Sequence, residues 1–251
     1  MSELTYYLDD EKIERVYTKT GGSVLRRPDG LLNEEWTDYF ARDAAILYKN
    51  NMEIIHVTSG AIIAGMTEFG NVVDFKSMKK EDAERCRQYF SGIGQPRLMD
   101  RYYRAFSELG ISVSQKLVTS RNFHNRHESK NIIDAYMFDL AHRTIPIFNN
   151  NDSVTTEELG GYSENDRLLA DLVLSFEGYD PKRSLAVIMS VNSENANGFG
   201  GRAAKEEATR RINEIGIPVL WVDGRYMPGN EEILWKAVHE GAGTYFPPVA
   251  G

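Results

Sequence analysis

Residues 16–25 read "VYTKTGGSVL". The apolar and β-branched residues up to Lys19 suit the end of a buried strand. Gly21 and Gly22 then force an abrupt change before the chain turns apolar again at Val24 and Leu25. Gly-Gly is punctuation in any chain, so a plain tight turn is one reading. The other is that bare backbone comes close to an anion that Lys19 also reaches, which is how strand-to-helix junctions hold phosphate.

Working outward, five more short Val- and Ile-rich runs read as buried strands: "MEIIHVTS" at 52–59, "SVSQKLVTS" at 112–120, "TIPIFNN" at 144–150, "SLAVIMS" at 184–190 and "IPVLWVDG" at 217–224. Helical patterns lie between them. In 34–50 the apolar residues Trp36, Tyr39, Phe40, Ala44 and Leu47 recur three and four apart. The others span 80–110, where Pro96 is expected to start or kink a turn, 131–143, 165–178 and 201–216. Strands alternating with helices predict a three-layer α/β/α sandwich on a mainly parallel sheet. In such folds ligands bind beyond the carboxyl ends of the strands. The residues to examine are therefore Lys19 to Ser23, Thr58 to Ala61, Asn149 to Asp152 and Asp223 to Arg225.

Composition narrows the function. The 251 residues are 41% hydrophobic and 26% charged, which suits a chain with a full-sized core. One cysteine, Cys86, precludes an internal disulfide framework and a Cys-rich metal site, and fits a reducing cytoplasm. The opening "MSELTYYLDDEKIERV" is polar and acidic, unlike a secretory leader, and no window has the apolar length of a membrane span. A net charge of −8 argues against nucleic acid or an anionic membrane as partner. No P-loop, dinucleotide fingerprint or nucleophile elbow is present. His124 and His127, three apart, suggest a shared helix face, but no third ligand accompanies them and no metal site is expected.

Four clusters carry chemistry. "VTSGA" (57–61) is either an ordinary helix cap or a second anion turn. "FNNNDSV" (148–154) and "YSENDRLLADL" (162–172) place amides and carboxylates at strand ends. Singly these are turn formers; together they suggest a polar pocket for an amino acid. "GFGGRAAKEEATRRI" (198–212) leads three glycines into a helix with Lys205 one turn inside it. Either Lys205 is a solvated surface residue, or it pairs with Lys19 in a clamp for a transferring phosphoryl group, where catalysis is mostly positioning and charge neutralisation.

In this order, "KTGGSVL", "IIHVTSGAIIAGMTEFG", "GIGQPRLMDRYYRAFSELGISVSQKLVTSRNF", "IPIFNNNDSVTTEELGGYSENDRLLADLV" and "GFGGRAAKEEA" resemble the amino acid kinase family, and within it the glutamate 5-kinases, over about residues 14–246. The resemblance implies the amino acid kinase fold in a single domain spanning 1–251. Residues to about 165 would bind the acceptor, and a shortened part from about 166 the nucleotide. It implies ATP-dependent phosphorylation of the side-chain carboxylate of glutamate or a glutamate-like amino acid, with ATP and Mg as cofactors, in a cytoplasmic homo-oligomer (dimer or tetramer) built through the helices around 80–143.

Position by position, the resemblance gives Lys19, Lys205 and Asp166 catalytic roles, with Asp166 orienting both lysines. Ser59, Gly60, Ala61, Asn149, Asp152 and Asn165 would bind the acceptor. Gly21, Gly22, Ser23, Ser190, Gly200 and Gly201 would bind nucleotide, with Gly21 and Gly22 donating their N–H groups to phosphate. The sequence departs from the family pattern at Asn150, Glu164 and Arg167, and at Met189-Ser190, where the family has a Thr-Asp pair. Only "VNSENAN" separates that point from the last glycines, so the nucleotide base is expected to be held poorly, and no C-terminal RNA-modification-type domain is expected. The rival readings are a non-catalytic or repurposed relative that binds an anion or amino acid, and a kinase with a different acceptor.

Overall fold

The computed structural model describes residues 13–154, 164–176, 178, 180–191, 201–227 and 229–249. Seven strands form one sheet in the order β3-β4-β2-β1-β5-β6-β7: β1 (Arg15–Thr20), β2 (Glu53–Val57), β3 (Ser112–Val118), β4 (Thr144–Asn150), β5 (Ser184–Ser190), β6 (Val219–Asp223) and β7 (Thr244–Phe246). All neighbours pair in parallel except β6 with β7. The helices are α1 (Glu34–Lys49), α2 (Ala61–Glu68), α3 (Lys80–Ser107), α4 (Ser120–His124), α5 (Arg126–Ala141), α6 (Glu164–Leu174), α7 (Gly201–Asn213) and α8 (Ile233–Glu240). The expected three-layer α/β/α architecture is the one observed.

Strand alternation explains the layers. Val16 faces one core with Ile54, Leu185 and Leu220, under Trp36 and Phe40 of α1, Ile63 of α2, Leu98 and Tyr102 of α3 and Leu234 of α8. Tyr17, one residue on, faces the other core with Ile55, Ala186 and Val219, under Tyr136 of α5, Leu169 of α6 and Ile212 of α7. A parallel sheet covered on both faces needs apolar residues at every position, which is why its strands read as unbroken runs rather than alternating ones.

Three expectations need correction. Pro96 starts no new turn: of the one or two long helices that 80–110 allowed, the structure shows one, α3, running through Pro96 for 28 residues. Its packing against α2 is the reason: a Cβ on Gly94 would lie 1.9 Å from the Ala61 carbonyl oxygen, and one on Gly65 would lie 2.0 Å from that of Phe90. This backbone-to-backbone crossing holds the helix where proline alone would weaken it. His124 and His127 share no helix face; His124 ends α4, His127 lies in α5, and Asn125 between them caps α5 through its side chain. The C-terminal elements α8 and β7 were not anticipated. Asp43 of α1 fixes α8 and the segment before it, accepting hydrogen bonds from Leu234 N (2.5 Å), Trp235 N (2.9 Å) and Tyr226 Oη (2.8 Å), while β7 is held by its antiparallel pairing with β6.

Candidate active site

The chain lays down β1, then β2 on one side of it, and later β5 on the other. The carboxyl end of β1 is thus a topological switch point, where open α/β sheets leave a crevice. Lys19 lies in that end, opposite Val57 of β2 and Ile188 of β5. Its Nζ sits 2.6 Å from Asp166 Oδ1 of α6, and both side chains are almost wholly enclosed. A charge removed from water needs such a partner, so Asp166 fixes where the ammonium lies.

The glycines after Lys19 do form a tight turn, closed by the Val24 N–H donating to Gly21 O at 3.1 Å. Neither Gly21 nor Gly22 adopts positive φ. A Cβ on Gly21 would meet Met189 O at 3.6 Å, and one on Gly22 would meet Ile63 Cδ1 at 3.7 Å, both ordinary contacts. Backbone strain therefore does not call for glycine here. The bare backbone leaves room for another group to approach. The Gly21 N–H donates to Met189 O at 3.0 Å, extending the β1–β5 ladder by a residue. Among the described residues the N–H groups of Gly22 and Ser23 take no backbone partner, so they, rather than Gly21, are the donors available to an anion.

At the next junction Gly60 is the N-cap of α2, with φ +106°, and a Cβ there would lie 2.9 Å from Leu25 Cδ1. Only glycine fits this left-handed position. No side chain caps α2. The Thr58 hydroxyl instead joins a buried network, 2.8 Å from Tyr102 Oη, which lies 3.1 Å from His56 Nε2; His56 Nδ1 is 2.7 Å from Thr18 Oγ1. Burial lowers the His56 pKa to about 3, so the imidazole is a neutral strut beneath the turn.

Ser59 faces the amide cluster. Asn165 Nδ2 donates to Ser59 Oγ (3.0 Å) and to Asn149 Oδ1 (3.2 Å), and Asn165 Oδ1 accepts from the Asn150 N–H at 3.1 Å. Asn150 Nδ2 donates to Asp152 Oδ1 at 2.6 Å. Burial pushes the Asp152 carboxyl up to about 6, with the bond from Asn150 partly opposing that. The structure therefore brings Ser59, Asn149, Asp152 and Asn165 together beside Gly60 and Ala61. Gln95 of α3 joins them, donated to by Asn149 Nδ2 at 2.7 Å. It was missed from sequence because a glutamine inside a long helix carries no local signal.

Across β1, Lys205 stands one turn into α7. Its Nζ donates to Ser190 Oγ at the end of β5 (3.0 Å) and lies 5.3 Å from the centroid of the Trp221 ring. Lys205 was expected to share Asp166 with Lys19; its hydrogen bond goes to Ser190, and Asp166 acts on it only through the field. Burial lowers the Lys205 pKa, Asp166 opposes this and Lys19 adds to it. Arg211 pins α7 to α6 through Asp171 at 2.7 Å, and Trp221 Nε1 donates to Thr209 Oγ1 at 2.9 Å, which fixes the helix against β6. Ser23 is exposed beside the turn, and Gly201 opens α7. Gly200 and "TTEELGGY" lie outside the described residues. Asp223 and Arg225 are bound to one another (Arg225 Nε to Asp223 Oδ1, 2.8 Å) and are not drawn into the cluster. No group of three or more potential metal ligands occurs among the described residues, nor does a helix there have the length and apolarity to cross a membrane.

A switch point with two lysines, a buried aspartate paired with one of them and N–H groups without backbone partners suits the handling of a phosphoryl group in an open α/β protein. The chain belongs to the amino acid kinase family, whose profile matches residues 14–176. It is 30% identical to a glutamate 5-kinase of Bacteroides thetaiotaomicron over 86% of this chain and 65% of that protein, so it spans somewhat less than two thirds of that relative. It is also 30% identical to the glutamate 5-kinase of Alkaliphilus metalliredigens, over 90% of this chain and 92% of that one. A solved isopentenyl phosphate kinase superimposes with a TM-score of 0.52 over 89% of this chain and 96% of its own, at 13% identity, a likeness of fold.

Proposed function

We propose that the protein transfers the γ-phosphoryl group of Mg-ATP to the side-chain carboxylate of glutamate or a close analogue. A carboxylate oxygen attacks the γ-phosphorus, the bond to the β,γ-bridging oxygen breaks, and ADP leaves with the electron pair, giving an acyl phosphate. The acceptor is already ionised at neutral pH, so no general base is required. The observation that carries this reading is the enclosed Lys19–Asp166 pair under the open Gly22-Ser23 backbone, with Lys205 at the end of the adjacent strand. Lys19 and Lys205 neutralise the charge that develops on the transferring group, and Asp166 holds Lys19 to that task. Ser59, Asn149, Asn165 and Asp152, with the α2 N-terminus at Gly60-Ala61, hold the acceptor. Gly22, Ser23, Ser190 and Gly201 hold the nucleotide. Mg²⁺ arrives with the phosphates, since it keeps its waters and rarely takes an all-protein cage.

The same reading assigns acceptor binding to residues up to about 165 and nucleotide binding to those beyond, in a cytoplasmic homo-oligomer. The short connection after β5 favours a second reading, in which the pocket binds an amino acid without phosphoryl transfer. Incubation with Mg-ATP, glutamate and hydroxylamine separates the two. Acyl phosphate is trapped as a hydroxamate in step with ADP release under the first, whereas calorimetric glutamate binding with no hydroxamate supports the second.

A further inference from the structure

The amide cluster has a fixed polarity, and following it leads to a residue outside the expected set. Asn149 Oδ1 accepts from the Asn150 N–H at 2.9 Å as well as from Asn165. Its oxygen is thereby oriented, and its Nδ2 must face Gln95 Oε1. That orients Gln95 in turn, because reversing its amide would set two donors against each other. The Gln95 side chain is more than nine-tenths enclosed, at 7% exposure, and its Nε2 meets no acceptor among the described residues. Buried amide nitrogens are nearly always hydrogen-bonded, so this donor implies an acceptor from elsewhere. Ser59 Oγ accepts from Asn165, which leaves its own O–H to donate outward. The cluster thus offers two donors, Gln95 Nε2 and Ser59 O–H, and one acidic acceptor, Asp152. Paired donors suit a carboxylate, and the acid suits an ammonium.

We propose that Gln95 binds the acceptor, donating Nε2 to its α-carboxylate and selecting an α-amino acid over the corresponding decarboxylated amine. This rests on the carboxyl-kinase reading above. The test uses Gln95→Glu, which keeps the oxygen that Asn149 needs but replaces the donor with a second acceptor, and Gln95→Met, which removes both polar atoms at similar volume. The expected result is a glutamate KM raised about tenfold or more, the loss of one hydrogen bond to a charged group, with kcat and ATP KM within about threefold of wild type. The preference for glutamate over 4-aminobutyrate should shrink in parallel.

Unchanged glutamate KM and preference in folded variants would overturn the proposal, as would equal losses for both acceptors. If neither variant melts cooperatively, the wild-type enzyme decides, and a glutamate preference below about threefold overturns it. If the wild type forms no acyl phosphate, calorimetric glutamate binding takes over. Weakening by Gln95→Glu would then sustain the assignment of Gln95 while the kinase reading falls, and unweakened binding would sink both.

Discussion

The two flanks of β1 are built by different means. On the β2–β4 side, Ser59, Gln95, Asn149, Asn165 and Asp152 interlock through short hydrogen bonds on three strands and helices. On the β5–β6 side, Lys205 is placed by one bond to Ser190, the Trp221 ring below it, and the anchoring of α7 through Arg211 and Thr209. The first flank is pre-organised, because its polar groups are oriented by one another before any ligand arrives. Such a surface discriminates by shape and by hydrogen-bond polarity. The second presents charge on a stiff helix, which suits a group that is mostly charge. On the proposed function, the contrast assigns acceptor choice and phosphoryl transfer to separable residues.

The sharpest test of that separation is Lys205→Ala. It should lower kcat by about 10²- to 10³-fold while glutamate affinity by calorimetry stays near wild type, as expected of an interaction made in the transition state. Parallel loss of glutamate affinity would join the two flanks into one. Next comes Gly94→Ala. With 1.9 Å to the Ala61 carbonyl, the methyl group must push α3 from α2, costing about 3 kcal/mol in urea unfolding. Because α2 carries the Ser59-Gly60-Ala61 turn, the glutamate KM should rise more than the ATP KM; equal changes would show that the crossing does not position the acceptor flank.

Asp152 gives a pH signature. Its raised pKa of about 6 means that it is protonated below that pH and ionised above. Only the ionised form pairs with an ammonium, so kcat/KM for the acceptor should climb from pH 5 to 7 and then level, and Asp152→Asn should flatten the climb and raise KM about tenfold. The folded state keeps a proton that the unfolded chain sheds at 3.8, so this group costs stability as pH rises between 3.8 and about 6. The same substitution should therefore weaken that downward trend in melting temperature. The smallest effect concerns the base. With the connection after β5 so short, ATP and GTP should compete within about threefold of each other, since lysines and backbone N–H groups read phosphate rather than purine. A clear ATP preference would mean that the β5–β6 flank is as selective as its neighbour.

Legibility from sequence followed the range of the forces involved. The six parallel strands, the turns at Lys19 and Ser59, and the amide-rich loop end all announce themselves, because strand periodicity and turn chemistry act within a few residues. Short α8 and β7 were silent; eight and three residues give little period, and α8 depends for its placement on Asp43, nearly two hundred residues away in sequence. Pro96 misled because a local helix breaker is outweighed when Gly94 and Gly65 let two backbones touch. Gly21 was expected to donate to phosphate, yet a sheet partner, Met189, takes its N–H.

By itself the sequence determined which residue types stand at the strand ends and in the helices that follow them: two lysines, an aspartate, glycines and short amides, a set whose resemblance to the amino acid kinases pointed to phosphoryl transfer. Only the tertiary structure decided how they pair. Parallel strand order put the Lys19 end of β1 between the strands that lead to Ser59 and Ser190, helix packing delivered Asp166 to Lys19 and Gln95 to Asn149, and burial set the carboxyl of Asp152 near pH 6. The physical reason is that hydrogen-bond polarity and desolvation belong to neighbours in space, and neighbours in space are fixed only when the core closes.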